Sequence, residues 1–133
     1  MTGVQTCALP ISPVRIEHWD VAFNHGKTAA LNMLGQDMAH EEIPYFFSVL
    51  ADWGELEYVG PAYEWDEEVV RGALEEASFT NWYLKDGVVK AALTIGRSDD
   101  LDHARRLIAD GRVLDKRRRA ALRDEGVELG TLT

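Results

Sequence analysis

The sequence IPYFFSVLADWGELEYVG, residues 43–60, divides the chain into two parts of different character. It begins at the helix-breaking Pro44, runs through three consecutive aromatic residues, and continues into the strand-like LEYV segment. The residues before it have the pattern of one amphipathic helix, and those after it the pattern of a small sheet followed by helices. We therefore predict an α+β fold, with Tyr45–Leu50 as a strand that is buried on both faces or lies at an interface.

Four further strands are predicted downstream, at Leu56–Gly60, Val69–Leu74, Phe79–Lys85 and Val88–Ile95. Asp86-Gly87 joins the last two and is a strong signal for a tight hairpin turn. The final strand, VVKAALTI, is apolar at nearly every position, which predicts a central place in the sheet. Because about five short strands follow one another without intervening helices, we expect an antiparallel sheet rather than a nucleotide-binding βαβ unit.

A helix is predicted upstream, from about Val21 to Leu34, with Asp20 as its N-cap and Gly35 as its stop. Its apolar positions are spaced as one stripe, built mainly from small residues: Ala22, Gly26, Ala29, Ala30, Met33 and Leu34. Small residues allow a helix to approach another element, or a ligand, very closely. The stripe therefore favours tight packing against the sheet, with contact to a ligand as the alternative. The helix N-terminus also favours partial negative charge, such as a flavin carbonyl or a phosphate.

Two more helices are predicted near the C-terminus. The first is capped at Ser98-Asp99-Asp100 and ended by Gly111, and the second runs from Asp115 to Gly126. The first buries a stripe of Leu101, Ala104, Leu107 and Ile108. This is the only basic region of an otherwise acidic chain, and its basic residues are Arg105, Arg106, Arg112, Lys116, Arg117, Arg118, Arg119 and Arg123. They form either a solvated helical surface or a docking patch for an acidic protein. The last residues, GVELGTLT, are predicted to fray.

Composition narrows the possible functions. The chain has 133 residues and a net charge of −9, which fits one modest domain and disfavours nucleic acid or an anionic membrane as partner. No apolar run approaches the ~20 residues of a membrane span, and we expect a cytoplasmic protein. GxGxxG, P-loop and GxSxG motifs are absent, and the four histidines show no metal-ligand spacing, HExxH included. From its residues alone, the chain lacks a self-contained active site.

Residues 1–11, MTGVQTCALPI, resemble the in-frame translation of a widely used DNA sequencing adapter. They carry no charge and no helical or strand periodicity, so we expect an unstructured artefact. On this interpretation Cys7, the single cysteine, takes no part in the chemistry. The natural chain would then not begin here, and the sequence would be a fragment of a longer protein.

Several motifs, taken together and in order, resemble the C-terminal end of FAD-dependent pyridine-nucleotide reductases. They are RIEHWDVAFNHGKTAALNMLG, then IPYFFS, LEYVG, WDEEVVRG and an ARRLI helix, and together they cover Val14 to about Ala109. The nearest groups are the NAD(P)H:ferredoxin reductases and the apoptosis-inducing factors. The resemblance implies that residues 12–43 close an FAD-binding domain and that 44–133 form the C-terminal interface domain.

The resemblance also implies site residues. His18 and Trp19 would lie against the flavin, Phe47 would sit beside it, and Glu57 would lie where some members contact the nicotinamide nucleotide. Two positions depart from the family pattern. Val49-Leu50 follows the IPYFFS motif where an acid is common, and His25 replaces a frequent Gln.

In that family the activity is hydride transfer from NAD(P)H to FAD, followed by single-electron delivery to a ferredoxin-type iron–sulfur protein. Both dinucleotide-binding domains precede the matching segment, so the resemblance implies that this chain alone binds no cofactor usefully and is inactive. Phe47 should then lie on an exposed or loosely covered aromatic face. Two other hypotheses remain open: an independent module that docks a redox partner through its basic helices, and a small dimerisation domain.

Overall fold

A computed structural model of the chain describes residues 16–52 and 54–132. The adapter-like stretch 1–11, the first residues of the segment that begins at Ser12, and Trp53 lie outside the described residues. The elements, in order, are α1 (Trp19–Met33), β1 (Tyr45–Val49), β2 (Glu55–Val59), β3 (Glu67–Ala73), β4 (Ser78–Lys85), β5 (Val88–Ile95), α2 (Asp99–Asp110), α3 (Lys116–Arg123) and a 3₁₀ turn (Leu129–Leu132). This confirms the α+β prediction.

The five strands form one antiparallel sheet in the order β1-β2-β5-β4-β3. β5 is central, as its apolar sequence predicted. Asp86 and Gly87 both have positive φ (50° and 77°), the geometry that a tight hairpin turn requires between β4 and β5. The predicted strands agree with the observed ones to within two residues at each end.

The core lies between one face of the sheet and the helices α2 and α3. Strand residues that alternate in sequence point to this face, because successive side chains on a strand lie on opposite sides. Its largest fully buried side chains are Trp82, Leu84, Leu101, Leu114, Leu122, Val59 and Val89. Within the described part of the chain, no helix combines the length and the apolar character needed to cross a membrane.

A buried polar network joins the sheet to the start of α2. The Asp100 carboxylate accepts hydrogen bonds from the Thr80 hydroxyl at 2.7 Å and from Arg97 Nε at 3.0 Å. Arg71 Nε lies 3.8 Å from the same oxygen, Oδ2. Asp100 and Arg71 are 8% and 6% exposed, so both charged groups are buried. The core tolerates them because each faces a group of opposite charge.

Arg71 also fixes the segment after α3. Its guanidinium donates to the carbonyl oxygens of Asp124 (2.5 Å) and Val127 (3.0 Å). Asp124 has an extended conformation (φ −82°, ψ 110°), so α3 ends at Arg123 and not at the predicted Gly126. Because these two carbonyl groups accept hydrogen bonds from the buried Arg71 guanidinium, the chain after Arg123 turns toward the sheet and does not continue the helix.

The predicted fraying of the C-terminal residues is wrong for the part that the structure describes. Leu129 and Leu132 are 3% and 5% exposed and belong to the hydrophobic core. They are three residues apart, the period of the 3₁₀ turn in which they lie, so both project from one side. The polar and glycine residues between them hid this pattern in the sequence.

The apolar stripe of α1 does not pack against the sheet as expected. Ala22, Gly26, Ala29, Ala30, Met33 and Leu34 are all exposed, Met33 and Leu34 at 82% and 78%. The helix instead meets the rest of the chain through the opposite face, on which Val21 is buried. Polar side chains make this contact possible, because Thr28 and Asn32 hydrogen-bond to the segment that follows the helix.

The beginning of α1 also differs from prediction, and for β1 one of the two predicted alternatives, burial on both faces, is excluded. His18, not Asp20, is the N-cap residue, and its Nδ1 accepts a hydrogen bond from the Asp20 backbone N–H. β1 is an edge strand and is not buried on both faces. Phe47 and Val49 are 39% and 58% exposed, and the exposure of Phe47 agrees with the predicted open aromatic face.

We expect Asp100→Ala to lower the free energy of unfolding by about 3 kcal/mol, because it leaves Arg71 without a counter-charge and Thr80 without its acceptor. Urea unfolding measures this. Asp110→Ala is the control: it removes a partner of Arg112 in an exposed pair (3.1 Å) and should change stability by no more than about 0.5 kcal/mol. Equal effects of the two substitutions would contradict the role given to the buried network.

Leu129→Ala and Leu132→Ala should each destabilise the protein by about 2–4 kcal/mol, because each opens a cavity in the core. Leu74→Ala, at a position that is 60% exposed, should have an effect within about 0.5 kcal/mol. Thermal or urea unfolding distinguishes them. A frayed C-terminus would make all three variants equally stable.

Candidate functional site

The candidate site lies where the start of α1 meets the edge strand β1. The His18 ring centroid is 5.7 Å from that of Phe47 and 5.8 Å from that of Trp19. It also lies 6.3 Å from Tyr45 and 6.2 Å from Phe46. His18 thus packs its ring against β1 while its Nδ1 caps the helix, and one side chain ties the two elements together.

Glu57 reaches the same place from β2. Phe47 and Glu57 are directly opposite each other in the β1–β2 pairing, so their side chains lie on the same face of the sheet. The structure therefore brings together the four residues that the resemblance singled out, His18, Trp19, Phe47 and Glu57. Their role in binding a cofactor stays a prediction.

The Glu57 carboxylate is held by two hydroxyl groups. Tyr45 Oη donates to Oε1 at 2.8 Å, and Ser98 Oγ, just before α2, donates to Oε2. The Arg105 guanidinium lies over the Tyr45 ring, 5.0 Å from its centroid, at cation–π distance. Sequence analysis did not identify Tyr45, Ser98 or Arg105 as site residues, because they are distant from Glu57 in sequence and no local motif marks them.

Burial and the hydrogen bond to Glu57 raise the pKa of Tyr45 to about 12. The nearby Arg105 opposes this shift because its positive charge favours the phenolate. Tyr45 therefore remains a protonated donor toward Glu57 across the physiological range.

The surface around these residues is apolar and open. Trp19 and Phe23 on α1 are 61% and 65% exposed, and the small residues of the α1 stripe continue the surface along the helix. An exposed apolar area of this kind marks an interaction site rather than ordinary protein surface. The Glu57 carboxylate lies beside it as a fixed hydrogen-bond acceptor.

This arrangement suits binding of a flat aromatic group better than independent catalysis. Aromatic rings and small side chains provide stacking and close approach, and the N-terminus of α1 adds partial positive charge. Among residues 16–52 and 54–132, no three His, Cys, Asp or Glu side chains are gathered in a way that would hold a metal ion. Chemistry at this surface would depend on a bound group.

The family described as Reductase C-terminal matches residues 52–133. The chain belongs to this family. It is a C-terminal domain of the FAD-dependent pyridine-nucleotide reductases, as the resemblance predicted.

Two curated relatives cover most of this chain. It is 40% identical over 103 residues to the anthranilate 1,2-dioxygenase system ferredoxin–NAD(+) reductase component of Burkholderia cepacia, covering 77% of this chain and 25% of that protein. It is 31% identical over 104 residues to apoptosis-inducing factor 3 of Mus musculus, covering 78% of this chain and 17% of that protein. The chain thus spans a quarter or less of the length of these relatives.

A solved structure shows the same fold. The covalent putidaredoxin reductase–putidaredoxin complex matches with a TM-score of 0.79 and 28% identity, covering 90% of this chain and 28% of the matched chain. The match extends beyond the family segment, because residues 1–51 lie outside that segment and are a larger share of the chain than the 10% that the match leaves uncovered.

Proposed function

We propose that this chain is the C-terminal portion of a FAD-dependent NAD(P)H:ferredoxin-type reductase whose two dinucleotide-binding domains lie in the part that it does not include. In this proposal residues 12–43 are the end of the FAD-binding domain and residues 44–133 are the interface domain. The observation that carries the proposal is the grouping of His18, Trp19, Phe47 and Glu57 on one open surface.

The residues present fit a flavin. Phe47 and Trp19 offer exposed aromatic surface, and His18 is held between them by ring contacts. When bound, FAD would accept a hydride from NAD(P)H and release electrons one at a time. In this proposal the aromatic residues pack against the ring and exclude water, while Tyr45 and Ser98 orient Glu57 toward the nicotinamide nucleotide.

The exposed face of α1 supports the same proposal. On this face Phe23, Met33 and Leu34 are 65%, 82% and 78% exposed. Exposing this much apolar surface to water is unfavourable in free energy. The remainder of an FAD-binding domain would cover this face and remove it from solvent. The relatives contain three quarters or more of their length outside the matched region, which is ample for such domains.

A ferredoxin-type iron–sulfur protein is the proposed electron acceptor. One similar structure is a reductase linked to putidaredoxin. The segment 105–123 supplies positive charge for steering an acidic partner, and most of that charge lies on α3, because α2 also carries four aspartates. Part of this charge is neutralised internally, since Arg119 pairs with Glu67 at 2.6 Å, Arg112 with Asp110 and Arg105 with Asp102.

A second candidate is an independent docking module that uses the same basic segment 105–123. The observation that favours it is the complete core built between the sheet, α2, α3 and the 3₁₀ turn. This candidate leaves the exposed α1 face unexplained, so we prefer the reductase.

We expect the purified chain to be colourless, to bind no FAD on titration and to oxidise no NADH or NADPH above background. A protein expressed from the upstream reading frame together with this sequence should be yellow and reduce an iron–sulfur acceptor. Flavin absorbance and steady-state turnover measure both properties. A start codon and ribosome-binding site directly before Val14 would instead favour the docking module, and flavin-dependent activity of the chain alone would overturn the proposal.

In the extended protein, Phe47→Ala should lower the rate of flavin reduction by about tenfold or more, because the ring loses a positioning contact. Leu74→Ala, which alters another exposed apolar residue away from the site, is the control and should leave the rate unchanged. Stopped-flow absorbance gives the rate. Equal rates for the two variants would argue against a flavin-facing role for Phe47.

In the isolated chain, Tyr45 should ionise near pH 12, and Glu57→Gln should lower its pKa because the charged acceptor is removed. Since the folded-state pKa exceeds the ordinary value of 10, the neutral phenol stabilises the fold below pH 10, and this contribution is lost as the pH rises toward 12. Tyrosinate absorbance of the wild type minus that of Tyr45→Phe isolates the group. Ionisation of Tyr45 at its ordinary pKa would rule out the hydrogen-bonded arrangement.

A further inference from the structure

The segment 34–44, which connects α1 to β1, folds back along the helix. Asn32 forms two hydrogen bonds with the backbone of Met38, from its Nδ2 to the carbonyl at 2.9 Å and from the Met38 N–H to its Oδ1 at 2.5 Å. One turn earlier in the helix, Thr28 Oγ lies 3.1 Å from His40 Nδ1. One further turn back, the His25 and His40 rings meet edge to face with centroids 4.2 Å apart.

The Thr28 hydroxyl decides where His40 carries its proton. Its single hydrogen is donated to the carbonyl oxygen of Asn24 at 3.1 Å, so toward His40 it acts as an acceptor. The neutral His40 ring therefore has its hydrogen on Nδ1 and a bare Nε2. Adding a proton places it on Nε2 and gives His40 a positive charge in contact with the His25 ring.

The surroundings oppose that added charge. His25 and His40 line a cleft of about 360 Å³ with the charged groups Asp20 of α1 and Glu42 of the connecting segment, and with Tyr63 of the loop after β2. Burial first, and then His25, lowers the pKa of His40, while Glu42 acts in the opposite direction and does not cancel them. The closed arrangement thus binds a proton less readily than a free histidine does.

We propose that the His25–His40 contact is a pH-sensitive latch, in which protonation of His40 releases the 34–44 segment from α1. The latch is independent of the proposed reductase function. Because the closed state has the lower His40 pKa, closure is fully favoured above the ordinary histidine value of 6.5 and weakens as the pH falls below it.

Opening the latch would weaken the attachment of α1, which carries part of the candidate site. Within the described residues α1 meets the sheet mainly at β1, so the folded-back segment provides much of what holds the helix in place. His18 and Trp19 lie at the N-terminus of that helix. Release of the segment therefore increases the freedom of one side of the candidate site while the core domain stays folded.

Hydrogen exchange of the full 133-residue chain tests the latch. Between about pH 7.5 and about pH 5, protection of the amides of residues 25–42, corrected for intrinsic rates, should fall relative to that of amides in β4 and β5. His103→Gln, which changes a histidine on α2 away from the latch, should retain this fall. The double variant His25→Gln/His40→Gln should abolish it.

A second measurement keeps the test decisive if the double variant is already open at both pH values. In His25→Gln, the NMR titration of His40 should show a higher pKa than in the wild type, because the neighbouring imidazole is gone. An unchanged His40 pKa, a wild-type chain with no loss of protection, or a double variant that keeps the wild-type loss would each overturn the latch.

Discussion

The buried carboxylate of Asp100 is the constraint on which the rest of the domain depends. One of its oxygens receives Thr80 from β4 and Arg97 from the turn before α2, and it faces Arg71 of β3. Such a group is tolerated in a core only when its partners are fixed, because an uncompensated buried charge is strongly destabilising. Satisfying it sets the position of the first turn of α2 on the sheet.

The same network also affects the C-terminal 3₁₀ turn and the candidate site. Through Arg71, the network holds the carbonyl groups after α3 and so brings the C-terminal 3₁₀ turn over the core. On the other side, it fixes Ser98 at the start of α2, within reach of Glu57. The same polar network thus completes the core and orients the carboxylate of the candidate site.

The candidate site lies at the edge of the sheet, outside the packed core. β1 is an edge strand, joined to the sheet by β2, and its start is fixed by a hydrogen bond from the Gly60 N–H to the Pro44 carbonyl at 2.8 Å. Gly60 has φ +98°, and a Cβ there would overlap the backbone of Lys90, so the close approach requires glycine. β1 is therefore rigidly registered at its beginning, while Phe47 and Val49 remain open to a partner.

The sequence alone determined the strands, the hairpin at Asp86-Gly87, the central place of β5 and the starts of α2 and α3, because these depend on local periodicity, turn chemistry and, for α3, the Asp115 cap. The resemblance in its motifs also pointed to His18, Trp19, Phe47 and Glu57. Tertiary structure decided which face of α1 is exposed, since polar contacts of Thr28 and Asn32 outweighed the apolar stripe. It also decided the burial of Leu129 and Leu132 and the meeting of Tyr45, Ser98 and Glu57. These depend on pairings between distant residues, which no local pattern encodes.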